Sequence, residues 1–417
     1  MGYAAFPIAA VRDRFPALTA TTTGRSRIYF DAPGGTQVCS DAIDAMGEYM
    51  RGGAANVGGA FETSRATEEI SLEAHAAMAD LLGGKPDEIA FGPNMTTLTL
   101  AVSRALARDW SAGDELVVTR LDHDANIAPW LHVAADRGMT VRWLDFDRGT
   151  GELRLDSLPG MLGPRTRLVA VCGASNLLGT LNDLAAIVET VRLHCPALVY
   201  VDAVQSVPHL PTDVAALGCD FLACSPYKCF GPHQGVLWGR AELLNTIAAY
   251  KVRPAPITPA AIRFETGTPS FEALAGVLGT IGYLEWLGRA IGPATGSRRT
   301  ALLTAMSGCN AYERVLGDRL LSGLASDDRV ELLGCATMER RVPTFALRIA
   351  GHTPTAVARH LAQLSIFAGA GHFYAIEAIE ALGLADAGGV VRIGLCHYNT
   401  VAEIDALIEA IAQLPRR

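Results

Sequence analysis

The sequence predicts an α/β fold: a mostly parallel central sheet with helices on both faces, then a smaller α+β C-terminal domain. Three observations predict it. Short, wholly apolar strand patterns alternate with helical patterns as far as Trp238, as strands buried on both faces require. Two of these runs end in a polar residue at the strand end, Leu198-Val-Tyr-Val-Asp202 and Phe221-Leu-Ala-Cys-Ser225. After about residue 270 the pattern changes to long helical stretches with scattered strands.

Element by element, Phe61 to Leu82 places Ile70, Ala74, Ala77 and Leu81 at helical spacing. Glu88 to Gly92 reads as a short strand, and Asn94 to Arg108 as a helix with Asn94 as its N-cap. Strands follow at Glu115–Thr119, Val141–Phe146, Arg167–Cys172, Leu198–Asp202, Phe221–Ser225 and Gly235–Trp238, with helices at Ala125–Arg137 and Asp183–His194. Beyond them lie helices at Phe271–Ala290 and Ala301–Ala325, strands at Val330–Leu333, Phe345–Ile349 and Val390–Leu395, and a last helix at Val401–Leu414. No internal repeat is visible. The chain accordingly divides into an N-terminal segment, 1–28, packing on the small domain; a large domain, 29–270, that carries the ligand site; and a small domain, 271–417. Ligands of such sheets sit beyond the carboxyl ends of the strands.

Composition excludes several classes. Half of the 417 residues are apolar and 19% are charged, so the chain is not disordered. Its net charge of −8 is spread without long runs of one sign, which argues against nucleic-acid binding. No apolar run approaches the roughly 18 residues of a membrane helix, and the first residues lack a secretory pattern. Nine cysteines, an odd number with no C-x-x-C pair, argue against a disulfide framework and against a metal site. The expectation is a cytoplasmic enzyme.

Which residues carry chemistry? Lys228, in Ser225-Pro-Tyr227-Lys228, follows a buried strand. Desolvation there would lower its pKa and make its amine nucleophilic. Asp202 ends a neighbouring strand. An aldehyde cofactor held on a lysine needs such a carboxylate, which keeps a pyridine nitrogen protonated so that the ring accepts electrons. Gly92-Pro-Asn-Met-Thr96-Thr97 joins a strand to a helix start, a cup of N–H groups and hydroxyls suited to phosphate. His123 follows another strand and could stack on a flat ring. Ser175-Asn176-Leu-Leu-Gly-Thr180 could offer an amide to a phenolic oxygen.

Together these segments resemble the class V aminotransferase group of fold-type I pyridoxal-phosphate (PLP) enzymes, which contains cysteine desulfurases and selenocysteine lyases. The resemblance runs from Tyr29-Phe-Asp to Tyr398-Asn-Thr, and rests on H-x-A-N-I-x-P-W from His123, Ser175-Asn-x-x-Gly-Thr180, Val201-Asp-x-x-Gln205, Ser225-x-x-Lys228 and Arg263-Phe-Glu-x-Gly-Thr268-Pro. It implies pyridoxal 5'-phosphate as cofactor, with Lys228 as the Schiff-base lysine, Asp202 on the pyridine nitrogen and His123 stacked on the ring, able to move protons. It implies Asn176 and Gln205 on the ring oxygen, and Thr96, Thr97, Ser225 and Tyr227 around the phosphate. Thr268 would reach the phosphate of a second subunit, making a homodimer with composite sites. Arg392 would grip the carboxylate of a small amino-acid substrate, as suits a planar fork of donors.

The chain departs from that pattern twice. Tyr227 stands where desulfurases usually have histidine. More consequentially, the stretch matching the desulfurase cysteine loop, Ile366-Phe-Ala-Gly-Ala-Gly-His372-Phe-Tyr374, contains no cysteine. This looks like the desulfurase-like subgroup whose members keep the PLP site and carry Gly-His-Phe-Tyr there; His372, Tyr374 and His397 are the candidates for steering the outcome of the reaction, with His372 a candidate substrate contact. The expected activity is cleavage of a C–S or C–Se bond without a cysteine nucleophile, sulfur leaving by elimination aided by an acid such as His123 or His372. An aminotransferase or amino-acid epimerase is the alternative on the same scaffold. A noncatalytic scaffold for a sulfur-carrier system is the alternative of another class, and it has no use for Lys228 and Asp202.

Overall fold

Seven strands make the central sheet: β1 (Ile89–Gly92), β2 (Glu115–Thr119), β3 (Thr140–Leu144), β4 (Thr166–Cys172), β5 (Leu198–Asp202), β6 (Phe221–Cys224) and β7 (Gly235–Gly239). Their order is β1-β7-β6-β5-β4-β2-β3. β7 runs antiparallel to both neighbours; every other pairing is parallel. The mostly parallel sheet read from the sequence is therefore present. The computed structural model describes residues 6–22, 24–293 and 295–416; the first five residues of the expected N-terminal segment lie outside them.

The sheet is covered on both sides because its strands are apolar on both. In β4, Val169 and Val171 join one core cluster while Leu168 and Ala170 join the other. This is the period-2 alternation of a strand, with both faces inside. Each fully buried Val or Leu contributes roughly 1.5–3 kcal/mol relative to exposure.

The flanking helices begin where the sequence supplies caps. Asn94 Oδ1 accepts from Thr97 N at 2.8 Å ahead of Met95–Leu106, and Asp183 accepts from Ala186 N at 3.0 Å ahead of Leu184–His194. Such caps satisfy N–H groups that the helix itself leaves open.

The small sheet comprises β8 (Val330–Leu333), β9 (Thr344–Ile349), β10 (Gly369–Gly371) and β11 (Val390–Gly394), in the order β8-β9-β11-β10, all antiparallel. The helix Phe271–Ile291 packs against Ser40–Gly52 and Glu62–Leu82 on one side and against Arg298–Leu324 on the other. Near the N-terminus, Ile28–Tyr29 pairs in parallel with Ile366–Phe367. Phe15 packs edge-on against Phe230 and Tyr283.

Behind the sheet's carboxyl edge, the two parts are joined through Arg341, which is 1% exposed. Its Nη1 donates to the carbonyls of Leu178 and Thr344, both at 2.7 Å, and its Nη2 to those of Leu333, at 3.3 Å, and Cys335. Beside it, Leu181 N donates to Arg340 O at 3.0 Å and Val342 N to Gly179 O at 2.9 Å. Residues 175–180 are thus fastened to the segment entering β9. Arg341→Met keeps the bulk but leaves four carbonyls, three of them buried, without this donor. At roughly 1–3 kcal/mol per stranded buried group, the variant should lose at least about 3 kcal/mol of stability in urea titration. A loss below about 1 kcal/mol would show that the clamp does not hold the two parts together.

Candidate active site

Because β2, β4, β5 and β6 are parallel, their carboxyl ends lie on one side of the sheet. Each sends out a loop carrying one of the residues singled out in the sequence. A cavity of about 340 Å³ opens there, and ten of those residues line it: Thr96, His123, Asn176, Asp202, Gln205, Ser225, Tyr227, Lys228, Tyr374 and Arg392. Arg392 comes from β11, so the small domain supplies one wall.

Lys228 follows β6 in a single turn of 3-10 helix and is 8% exposed. Its Nζ donates to the carbonyls of Gly34, at 2.8 Å, and Pro33. Burial, reinforced by the charge of Arg392, pulls its pKa down to about 7, against the opposing pull of Asp31 and Asp202. Asp202 lies at the end of β5, in register with Cys172. Its Oδ1 accepts from Val204 N at 2.9 Å. Burial lifts its carboxyl to about 7; Asp122 adds to the rise, while the Val204 bond and Lys228 oppose it.

His123 is held by its Nδ1, which accepts from Ala125 N at 2.9 Å. Burial, then the charges of Lys228 and Arg392, push its pKa down to about 4, so the ring is neutral at physiological pH. The turn presenting it hangs on Asp122, whose Oδ1 accepts from Thr119 Oγ1 at 2.6 Å and Cys172 N at 3.0 Å, and whose Oδ2 accepts from Asn126 Nδ2 at 2.6 Å.

Arg392, 3% exposed, donates from Nη1 to Asn176 O and from Nη2 to Asp31 Oδ1, each at 3.1 Å. Its guanidinium lies over the Phe373 ring, 3.8 Å from the centroid. Asn176 Nδ2 donates to Phe373 O at 2.8 Å, and Gln205 Nε2 to Pro33 O at 3.0 Å.

Four residues singled out in the sequence are not brought to this cavity. His397 is buried, its Nε2 2.6 Å from the Tyr283 hydroxyl. Thr97 spends both its N–H and its hydroxyl on the Asn94 side chain, at 2.8 and 2.9 Å, so it serves the helix cap. His372 is exposed and stands outside the cavity lining, its Nδ1 accepting from Tyr374 N at 3.0 Å. Thr268 lines a different depression, described below. Conversely, Asp31 and Phe373, which line the cavity, and Asp122 behind it carry no site reading in the sequence. Asp31 lay in the quoted Tyr29-Phe-Asp segment and Asp122 in the segment around His123, but neither reads as site chemistry until the chain folds. Among the cysteines, all but the partly exposed Cys335 are buried. Cys172 alone lines the cavity, and burial holds its thiol far above its ordinary pKa.

The donor set fits pyridoxal 5'-phosphate. It offers a desolvated amine for an aldehyde, a buried carboxylate for a ring nitrogen, an imidazole face, and a helix N-terminus at Met95–Thr96 for a phosphate. Asn176 Oδ1 and Arg392 Nε are buried beside this set with no hydrogen-bond partner among the described residues.

Comparison with known proteins agrees with this geometry. The profile of the family described as aminotransferase class-V matches residues 28–407. The chain is 32% identical to an uncharacterised protein of Mycobacterium tuberculosis, over 98% of this chain and 100% of that one. It is 30% identical to a cysteine desulfurase of Klebsiella pneumoniae, over 98% of each. A cysteine desulfurase structure from Thermococcus onnurineus superposes with a TM-score of 0.85 at 25% identity, covering 99% of both chains. The chain belongs to the aminotransferase class-V family, the pyridoxal-phosphate-dependent enzymes that include the cysteine desulfurases.

Proposed function

We propose that this protein cleaves the C–S or C–Se bond of a small cysteine-like amino acid by elimination, without a cysteine nucleophile. One observation carries the reading. Lys228 and Arg392 face a single cavity, and the segment at its mouth ends in Tyr374 where the resemblance calls for a thiol.

The residues that would hold the cofactor are Lys228 at the aldehyde, Asp202 at the ring nitrogen, His123 over the ring face, and Asn176 and Gln205 at the ring oxygen. Thr96, Ser225 and Tyr227 would hold the phosphate. When bound, the cofactor supplies an electron sink next to the substrate's α-carbon. The chain's own residues do the rest. Arg392 takes the α-carboxylate, its remaining N–H donors aimed by the Phe373 stack and the Asn176 carbonyl. Lys228, its pKa pulled down to about 7, removes the α-proton in its neutral form. His123, neutral and fixed through Nδ1, covers the ring and keeps water from it. Aminotransfer instead of elimination would return a keto acid with no release of thiol or sulfide, so assaying both products on a panel of amino acids tests the reading.

A homodimer completes the proposal. Thr268 lines a largely apolar depression of about 630 Å³ together with Val57, Leu72, Val252 and Ile262, separate from its own chain's Lys228 cavity. Leu72 and Val252 are 66% and 63% exposed. A second copy laid on this face would cover them and bring Thr268 to the other subunit's phosphate cup.

Borohydride reduction of the loaded enzyme followed by peptide mapping should place the label on Lys228; label on another lysine overturns the assignment. The rate at which fixable label accumulates should rise with pH and level off with a midpoint near 7, because a lowered amine pKa exposes the nucleophile early in the titration. A midpoint near the ordinary lysine value of about 10.4 would show that Lys228 is not desolvated. Light scattering should give a dimer that Val252→Asp breaks. Thr268→Ala should weaken cofactor retention by roughly 10- to 100-fold, the equivalent of one hydrogen bond to a charged group.

A further inference from the structure

Resting on the elimination reading, we propose that the Tyr374 hydroxyl is the catalytic acid that protonates the departing sulfur or selenium. Tyr374 lines the main cavity and also an adjoining one of about 420 Å³, walled by Leu100, Pro129 and His132, so it stands where the two meet. Its ring stacks on His123 with centroids 5.4 Å apart and planes 30° apart. Its hydroxyl has no hydrogen-bond partner among the described residues, and the side chain is 64% exposed.

The placement is fixed. Phe373 and Tyr374 both adopt left-handed backbone, with φ of 53° and 57°, which non-glycine residues rarely do. Three bonds hold them there: Asn176 Nδ2 to Phe373 O at 2.8 Å, Asp124 N to Tyr374 O at 2.8 Å, and Tyr374 N to His372 Nδ1 at 3.0 Å. The Phe373 ring beneath Arg392 adds a fourth tie. The segment is a built wall facing the substrate end of the site, not a loop that carries a group in and out.

The other proton donors around the cavity are less suited. His123 is neutral and accepts at Nδ1, so its one proton sits on Nε2 of a neutral imidazole, a far weaker acid than a phenol. Tyr227 stacks on His233 at 4.6 Å and lies beneath the Lys228 amine, at the cofactor end. His372 stands outside the lining, and the one cysteine that lines the cavity is buried.

The step balances as follows. Lys228 takes the α-proton, and the Cα–H electron pair becomes the Cα=Cβ bond. The Cβ–S pair leaves on sulfur, which takes the Tyr374 proton and departs as a thiol. The phenolate recovers a proton from water at its exposed edge, and Lys228 returns its proton to solvent. Water hydrolyses the resulting enamine to a keto acid and ammonia.

The test compares wild type with Tyr374→Phe on two S-substituted cysteines, one releasing an alkanethiol and the other a nitroarenethiol whose anion needs no proton. General-acid assistance is worth about 10²–10⁴-fold. Thiol release from the first substrate should fall by that factor, and release from the second should stay near wild type. The cofactor absorbance spectrum and deuterium exchange at the α-carbon of alanine should be unchanged. Equal losses on both substrates, or none, would overturn the proposal. Replacing Tyr374 by 3-fluorotyrosine, a more acidic phenol of nearly the same shape, should move the alkaline limb of kcat/KM for the alkanethiol substrate to lower pH. An unmoved limb counts against the proposal, even if the phenylalanine variant fails to fold. Absence of thiol release by wild type from either substrate would instead defeat the elimination reading itself.

Discussion

A guanidinium whose two terminal nitrogens bond only to backbone carbonyls makes one site out of two parts of the chain. Arg341 holds the carbonyl of Leu178 from one side and those of Thr344, Leu333 and Cys335 from the other. Between them lies the loop that presents Asn176. Two residues before Leu178, the Asn176 carbonyl receives Arg392 Nη1. Arg392 is therefore held at Nη1 by backbone, which cannot swing out as a flexible acid could, and at Nη2 by the Asp31 carboxylate. Burying a cation this way is costly unless every donor is matched. Burial still pulls the Arg341 pKa down, to about 10, which leaves it charged at any pH the protein meets.

That constraint shapes the electrostatics of the cavity. Lys228 and Asp202 are both drawn from their ordinary pKa values to about 7, from opposite directions and for the same reason, loss of water. Burial therefore works against the charged form of each group. Arg392 contributes to the depression of both Lys228 and His123. One buried cation thus adds to the effect of burial at both Lys228 and His123.

Much of this was legible in the sequence because parallel strands report themselves twice, as apolar runs and as polar residues at their carboxyl ends. Asp202, Ser225 and Lys228 were found that way, and the Asn94 cap was found from its position alone. What the sequence could not show was contact between distant segments. Asp31 meets Arg392 across 361 positions and Phe373 meets Asn176 across 197; no local pattern encodes either. The helix Ser40–Gly52 was missed because it buries little beyond Ala42. β10 was missed because Gly-Ala-Gly carries none of the branched or aromatic residues that mark a strand. Thr97 misled for the opposite reason: a hydroxyl at a helix start looks the same in one dimension whether it meets a ligand or a cap.

The buried charge of Arg392 has a consequence at longer range. The chain as a whole carries −8, so an approaching molecule of net negative charge is repelled by the body of the protein. Among the described residues Arg392 shares only one carboxylate, that of Asp31. It lines the cavity and can draw an anion in only within about a Debye length, roughly 8 Å at physiological ionic strength. Capture is then a two-zone process, in which outer repulsion slows encounter and inner attraction commits whatever reaches the mouth. Moderate salt, by screening the outer zone first, should speed entry of an anionic amino acid before it weakens its hold, the reverse of the salt dependence of a steered enzyme.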